Sequence, residues 1–332
     1  MEAKLSNHST YKHISKATDE IVNYIQDRKD NKIKSLRTRW HKFNRLCMGG
    51  IEPNAIYTFT GISGSGKSSM VNTLETDLVD LNPKENIVVL SFNYEMLSSK
   101  QVGRKLSYKL RQTTSDLYSA TTSINETLMD EIKKAAEKFK YYPVYYVDEP
   151  QNLVDMENTI SYFLNTIAKD KWLVVILDHA LLIKSSGDSE RQTISDIQKL
   201  FMRMKKIGRT SILQISQMNR NIEAPERINN QALHYPMRSD ISTSDSIFQA
   251  SDYVFVIHRP EILGLNEYGI YGLPTKDFVY LHCLKNRDGE VKTLKFVNDL
   301  KYNNLKEPEQ EEESNPQQQI SFTTENNEQN EK

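Results

Sequence analysis

One octet constrains this chain more than any other stretch. Gly61-Ile62-Ser63-Gly64-Ser65-Gly66-Lys67-Ser68 places glycine first and sixth, followed by Lys and Ser. An apolar run, Ile56–Thr60, leads into it, and a helical pattern starts at Lys67. Strand, glycine-rich loop and helix in that order form a phosphate cradle. Glycines let backbone N–H groups wrap a phosphate, and the helix N-terminus adds the positive end of its dipole. Gly61, Ser63, Gly64, Ser65, Gly66, Lys67, Ser68 and Ser69 are therefore the candidate nucleotide contacts. Lys67 would neutralise the β- and γ-phosphates of ATP, and the Ser68 hydroxyl would hold Mg²⁺. Such a loop needs a second, magnesium-orienting acid at the end of a nearby strand. Trp172–Leu177, an apolar strand ending at Asp178, supplies it.

The rest of the chain fits an α/β fold. Apolar runs at 56–60, 87–92, 144–147, 173–177, 211–215, 253–257 and 278–283 read as strands. Helical periodicity falls at about 67–81, 98–111, 124–139, 157–168 and 190–207. Alternation of this kind predicts a mostly parallel sheet covered on both faces. The last strands, 278–283 and 291–296, flank Asn286-Arg287-Asp288-Gly289, and the Asp-Gly pair signals a closing β-hairpin.

Three regions follow. Residues 1–32 form a polar arm whose Tyr11, Ile14, Ile21 and Ile25 share one helical stripe. That helix could dock on its own core or on a neighbouring subunit. Residues 33–302 form the core. Residues 303–332 are rich in Glu, Gln and Asn and are expected to be disordered. Charge divides along the same lines. Residues 305–332 carry eight Glu against two Lys, whereas residues 1–50 carry eleven basic and five acidic side chains. A basic body with an acidic tail suits a nucleic-acid partner.

Several classes are excluded. The longest apolar run is Trp172–Leu177, far short of the roughly 20 residues of a spanning helix. No secretory signal is visible at MEAKLSNHST. Cys47 and Cys283 make no disulfide framework, and a reducing cytoplasm is the expected setting. The His282–Cys283 pair lies in an apolar strand and reads as core rather than as a metal site.

Six ordered segments resemble one family. His41–Gly50 (HKFNRLCMGG), Ser91–Met96 (SFNYEM), Val147–Pro150 (VDEP), Ile215–Arg220 (ISQMNR), Ser246–Asp252 (SIFQASD) and Lys285–Gly289 (KNRDG) are similar to motifs of the RecA-type ATPase core of DnaB-family replicative DNA helicases. The resemblance covers about residues 33–300. It implies a RecA-like P-loop fold, ATP and Mg²⁺ as cofactors, single-stranded or forked DNA as partner, a hexameric ring and 5′–3′ unwinding. The residues by themselves carry no sign of polarity. Glu95, just after the second strand, would activate the attacking water. Gln217, just after the strand at 211–215, would sense the γ-phosphate. Lys285 and Arg287 stand on the terminal hairpin, badly placed for their own phosphate loop and well placed for a neighbour's. The resemblance implies that both act in trans.

The long stretch 219–245, with Arg220, Arg227 and Arg238, and the loop at Lys184 are DNA-contact candidates, with Gln249 in the segment that follows. Ser242 stands where the family carries Arg, and Asp178-His179-Ala180-Leu181-Leu182 lacks the family's Gln. The family's N-terminal domain, which helps to contact primase, is missing from this sequence, and phage helicases of such minimal form exist. Gln317–Phe322 resembles a sliding-clamp peptide. A primase, a loader and a clamp are thus expected partners. Two rival functions remain at this point, a recombination or packaging ATPase of the RecA class and a regulatory ATPase ring.

Overall fold

The computed structural model describes residues 11–121, 123–178, 183, 189–242 and 244–308. The chain divides into two units, Met1–Ser35 and Leu36–Lys332. The first holds α1 (Ile14–Lys29), with basic Arg28 and Lys29 in its last turn, where the dipole favours them. Within that unit Ile14, Ile21 and Ile25 are exposed.

The second unit runs in the order α2 (His41–Leu46), β1 (Ile56–Thr60), α3 (Lys67–Asp80), β2 (Ile87–Asn93), α4 (Ser98–Leu110), α5 (Thr114–Tyr118), α6 (Glu126–Phe139), β3 (Val144–Val147), α7 (Leu153–Asn165), β4 (Trp172–Asp178), α8 (Glu190–Met204) and β5 (Arg209–Ile215). Then follow α9 (Pro225–Ile228), α10 (Ser244–Ala250), β6 (Tyr253–His258), β7 (Glu267–Tyr268), β8 (Leu273–Pro274), β9 (Phe278–Asn286), β10 (Thr293–Asp299) and β11 (Asn304–Lys306). Among the described residues, nine strands make one sheet in the order β11-β10-β9-β6-β1-β5-β4-β2-β3, and β7 and β8 pair separately. Strands β6, β1, β5, β4, β2 and β3 are parallel. Strands β9, β10 and β11 continue the sheet antiparallel.

Alternation along the strands decides the two faces. Tyr57, Phe59, Val174, Ile176, Leu213 and Phe255 meet α2 and α3 through Phe43, Met70 and Leu74. Val88, Leu90, Leu173, Val175 and Ile212 point the other way, onto Ile160 and Phe163 of α7 and Ile197 and Phe201 of α8. Strands buried on both faces read as unbroken apolar runs, which is why the sequence exposed them. Cys47 and Cys283 share the first cluster. Both are free thiols, and burial pushes both upward from the usual thiol range.

The body extends past the expected end of the core at 302. Strand β11 pairs with β10, the indole of Trp40 donates to the carbonyl of Leu305 at 2.8 Å, and the Glu307 carboxylate accepts from the amides of His41 and Lys42. Residues 303–307 thus belong to the fold, and the start of the tail moves outward. Residues 309–332, with the segment similar to a clamp peptide, lie outside the described residues, as does the loop at Lys184.

His282 is also structural. The Tyr268 hydroxyl bridges His258 Nδ1 (2.8 Å) and His282 Nε2 (2.7 Å), and His282 Nδ1 lies 2.9 Å from Thr293 Oγ1. Among the described residues no group of three or more His, Cys, Asp or Glu could hold a metal ion. No described helix is long and apolar enough to cross a membrane.

Candidate functional site

Parallel strands deliver their carboxyl ends to one edge, where open α/β sheets bind ligands. Gly61 follows β1, Asp178 ends β4, Glu95 comes just after β2 and Gln217 just after β5. The fold therefore brings four of the expected catalytic residues, Lys67, Glu95, Asp178 and Gln217, to the same edge.

The loop between β1 and α3 is a tight cradle. A Cβ on Gly61 would lie 2.5 Å from the carbonyl oxygen of Ile257, so only glycine fits there. Gly66 caps α3 at φ 104°, a left-handed conformation that favours glycine. Ser63 and Gly64 are exposed at the loop's tip, and Ser65 is buried. Ser69 Oγ donates to Asn303 Oδ1 at 3.4 Å. Lys67 Nζ closes the loop on itself, donating to the carbonyls of Gly61 (2.8 Å) and Ile62 (2.9 Å). Burial pulls the Lys67 ammonium below the usual lysine range, and the facing charges of Glu95 and Asp178 act against that pull. The hydroxyls of Thr60 and Ser65 are buried without a hydrogen-bond partner in the described structure. Unsatisfied donors at a strand end and inside a cradle suit an anion.

Beside the cradle lies a polar crevice lined by Ser68, Asn72, Glu75, Ser91, Asn93, Gln101 and Asp178. Asn93 sits directly opposite Asp178 in the β2–β4 register. Glu75 is engaged by Lys105 Nζ (2.7 Å) and by the Tyr146 hydroxyl (2.6 Å). Asp178 is the crevice's other carboxylate. Oxygen donors from Ser68 and Asp178 are those that a hard cation takes, so these residues fit Mg²⁺.

Arg104 on α4 joins this constellation, although the sequence reading passed over it. Its Nη1 is buried without a hydrogen-bond partner in the described structure, and the charges it faces are those of Asp178 and Glu95. Burial pulls the guanidinium downward, and those two carboxylates pull it back. Its sign in the sequence was helical phase. Gln101 is buried on α4, and Arg104 lies three residues after it, on the same face.

Lys285 and Arg287 stand on the opposite edge. Strand β9 runs antiparallel to β6, pairing Asn286 with Tyr253 and Lys285 with Val254 at the amino end of β6. The amide of Arg287 donates to the carbonyl of Asp252, and the amide of Asp252 donates to the carbonyl of Ile56, the first residue of β1. The five residues of β1 therefore separate Arg287 from its own phosphate loop, about 16 Å at 3.3 Å per residue. Lys285 Nζ is engaged within its own chain, donating to the carbonyls of Phe248 (2.6 Å) and Gln249 (3.2 Å) at the end of α10. A phosphate contact by Lys285 would require it to leave both.

The stretch 219–245 is not an irregular loop. Short helical turns fill it, with Pro225 opening α9. Arg227 is its internal anchor and not a DNA contact. Its side chain is 9% exposed and pairs at 2.6 Å with Asp240, itself 1% exposed, while donating to the carbonyls of Leu233 and Tyr235. Arg220 and the Gln249 side chain are exposed. Arg238 pairs with Asp245 at 2.8 Å and lies over the Phe248 ring. The segment returns to its origin, because Ser242 donates its amide to the Gln217 carbonyl and Met218 bridges Ile241.

Comparison with known proteins agrees with this geometry. A family model described as DnaB-like helicase C terminal domain matches residues 35–307. A replicative DNA helicase DnaB of Mycoplasma genitalium is 26% identical over 256 residues, covering 75% of this chain and 52% of the relative. A DnaB of Mycoplasma pneumoniae is 24% identical over 294 residues, covering 86% of this chain and 59% of the relative. The chain thus spans little more than half the length of these curated relatives. Among solved structures, one described as an ATPase domain superposes with a TM-score of 0.72 at 17% identity, covering 88% of this chain and 98% of that one. A DnaB-like replicative helicase, described with its interactions with primase, gives 0.73 at 17% identity, covering 88% of this chain and 66% of that one. At that identity the likeness concerns the fold.

Proposed function

The chain belongs to the DnaB-like helicase C-terminal domain family through residues 35–307, and from that premise we propose that it is an ATP-dependent replicative DNA helicase core. It moves 5′–3′ on single-stranded DNA as a ring and displaces the opposite strand. The observation that carries this reading is the division of its chemistry between two edges of one sheet. Lys67, Asp178, Glu95 and Gln217 gather at the carboxyl edge, and Arg287 stands at the amino edge on the closing hairpin. A site divided in this way is completed by a second copy.

In the complete site the loop from Gly61 to Ser69 would wrap the phosphates through its amides. Lys67 would exchange the carbonyls of Gly61 and Ile62 for phosphate oxygens. Ser68 and Asp178 would hold Mg²⁺, which when bound neutralises charge on the phosphates. Glu95 would orient the attacking water and take its proton. Arg104 would steady the two carboxylates that face it, and Arg287 of the adjacent subunit would stabilise charge developing on the γ-phosphate. Gln217 would register loss of that phosphate and pass it to the 219–245 segment through the Ser242 tie. Arg220, Arg238 and Gln249 would contact DNA there.

A primase is a proposed partner, because one solved relative is described with its interactions with primase. A loader and a clamp are proposed on family grounds alone. The proposed compartment is a reducing cytoplasm, where two buried free thiols stay reduced.

The test is ATP hydrolysis by the full chain across protein concentrations, with and without single-stranded DNA, followed by displacement of a forked duplex. Expected are cooperative, DNA-stimulated turnover, strand displacement, and loss of turnover by about a thousandfold in Arg287→Ala with nucleotide binding retained. Hydrolysis indifferent to DNA would favour the regulatory ring. Stimulation without displacement would favour a recombination or packaging ATPase.

A further inference from the structure

We propose that Asp252 is the positioning residue for Arg287, fixing its guanidinium so that the terminal nitrogens are presented to the neighbouring subunit's phosphate. This rests on the reading of Arg287 as a group that acts in trans.

The two oxygens of Asp252 have different tasks. Oδ2 accepts from the backbone amide of Ile56 at 2.8 Å and from Lys205 Nζ at 2.6 Å. Those contacts tie the carboxylate to the first residue of β1 and to the end of α8, where Lys205 is the C-cap. The side chain is only 9% exposed, so the carboxylate has little room to swing. Oδ1 is thereby held in a fixed place, and Arg287 Nε lies 3.0 Å from it. The backbone repeats the arrangement, since the Arg287 amide donates to the Asp252 carbonyl at 3.0 Å.

A guanidinium is planar. The ion pair falls at Nε, the root of the guanidinium, so the group is tethered there and both terminal nitrogens lie beyond the anchor. Among the described residues those two nitrogens have no hydrogen-bond partner, and the Arg287 side chain is 53% exposed. That free edge is the one that pairs bidentately with phosphate oxygens. The base of the hairpin is fastened by the same neighbourhood, because Lys285 caps the last carbonyls of α10 just before Asp252. An exposed arginine otherwise samples many rotamers, and a misplacement of about 1 Å in a reacting group can cost on the order of a hundredfold in rate.

The substitution that tests this is Asp252→Asn. Its amide oxygen can replace Oδ2 against the Ile56 amide, which turns the NH₂ group toward the guanidinium and sets donor against donor. The full chain is assayed with ATP and an oligothymidylate strand. Wild-type subunits are mixed with increasing amounts of Lys67→Ala, of Lys67→Ala/Asp252→Asn, or of Lys67→Ala/Arg287→Ala. Each added subunit is dead at its own loop, so any further loss is transmitted to the neighbour. The Asp252→Asn double variant is expected to suppress turnover nearly as steeply as the Arg287→Ala double variant, and both more steeply than Lys67→Ala alone. In undoped rings Asp252→Asn should lower kcat between about tenfold and a hundredfold with the KM for ATP unchanged.

If the Asp252 curve overlays that of Lys67→Ala while the Arg287 curve is steeper, the positioning role is wrong and trans action stands. If all three overlay, trans action itself is wrong. Incorporation is checked by pull-down of tagged variant subunits. Should Asp252→Asn subunits fail to incorporate, ¹⁵N relaxation of arginine Nε–H groups in the unsubstituted chain decides, with Arg287→Lys giving the assignment. An order parameter near 0.85, that of rigid backbone, is expected for Arg287, and one below about 0.6 would overturn the inference.

Discussion

Ser242 donates its backbone amide to the carbonyl of Gln217 at 3.0 Å. The segment holding the exposed Arg220 therefore starts and ends at the residue proposed to sense the γ-phosphate. Gln217→Ala is expected to retain nucleotide binding and basal hydrolysis while losing about tenfold in stimulation by single-stranded DNA, a coupling of about 1.4 kcal/mol. Hydrolysis rates with and without oligothymidylate check this, and unchanged stimulation would refute the coupling.

Arg104 separates stability from turnover. A half-buried guanidinium whose buried nitrogen is unpartnered in the described structure costs folding free energy. Arg104→Met should leave the melting temperature unchanged or raised while lowering kcat by about a hundredfold. Calorimetry and steady-state hydrolysis on the same preparation suffice, and a large fall in melting temperature would assign Arg104 to the scaffold.

Arg227 and Arg220 should behave in opposite ways. Arg227→Ala strands the buried Asp240 and should cost about 3–5 kcal/mol of folding stability. Arg220→Ala should leave stability within about 0.5 kcal/mol and reduce the salt slope of DNA binding by about one. Denaturant midpoints and fluorescence titrations between low and moderate salt measure both.

Acid should loosen the fold through the buried histidines. Burial, with the nearby Arg227 and His234 charges, pushes His258 down from 6.5 to about 3. Burial and the neighbouring His258 push His282 well below its ordinary value. Both stay neutral when folded and take up protons when unfolded, so their stabilisation is complete above pH 6.5. It is lost as pH falls from there toward 3, at about 1.4 kcal/mol per pH unit for each proton. His282→Gln should show a shallower decline between pH 6.5 and 5 in urea unfolding, by about one proton. Equal slopes would count against the buried pair.

The phosphate loop, the strand ends bearing Glu95 and Asp178, and the order of the core elements were legible because each is local. Glycine spacing, an unbroken apolar run and a closing Asp-Gly are read within a few residues. What escaped depends on contacts between distant residues. Arg227 reads as a DNA-contact candidate because nothing nearby in the sequence announces that Asp240 buries with it. The strand Asn304–Lys306 is too short for any period, and it exists because Trp40 and β10 receive it. Arg104 carried only a helical phase, visible once Gln101 three residues before it was seen to be buried. The separation of Arg287 from its own loop was foreseen from the hairpin, but its anchor at Asp252 needed coordinates.

Helix α10 has a consequence of its own. It begins just after the tie between Ser242 and Gln217, and it ends where Lys285 grips its last carbonyls. One short rod thus joins the residue proposed to read a subunit's own phosphate to the mount of the group proposed to act next door. Linkage makes any such connection reciprocal. If Arg287 seats in a neighbour as proposed, whatever factor nucleotide state applies to that seating must return to nucleotide affinity at the first site. Each subunit would then release its product on terms set by the next one along, with no signal beyond seven residues of helix.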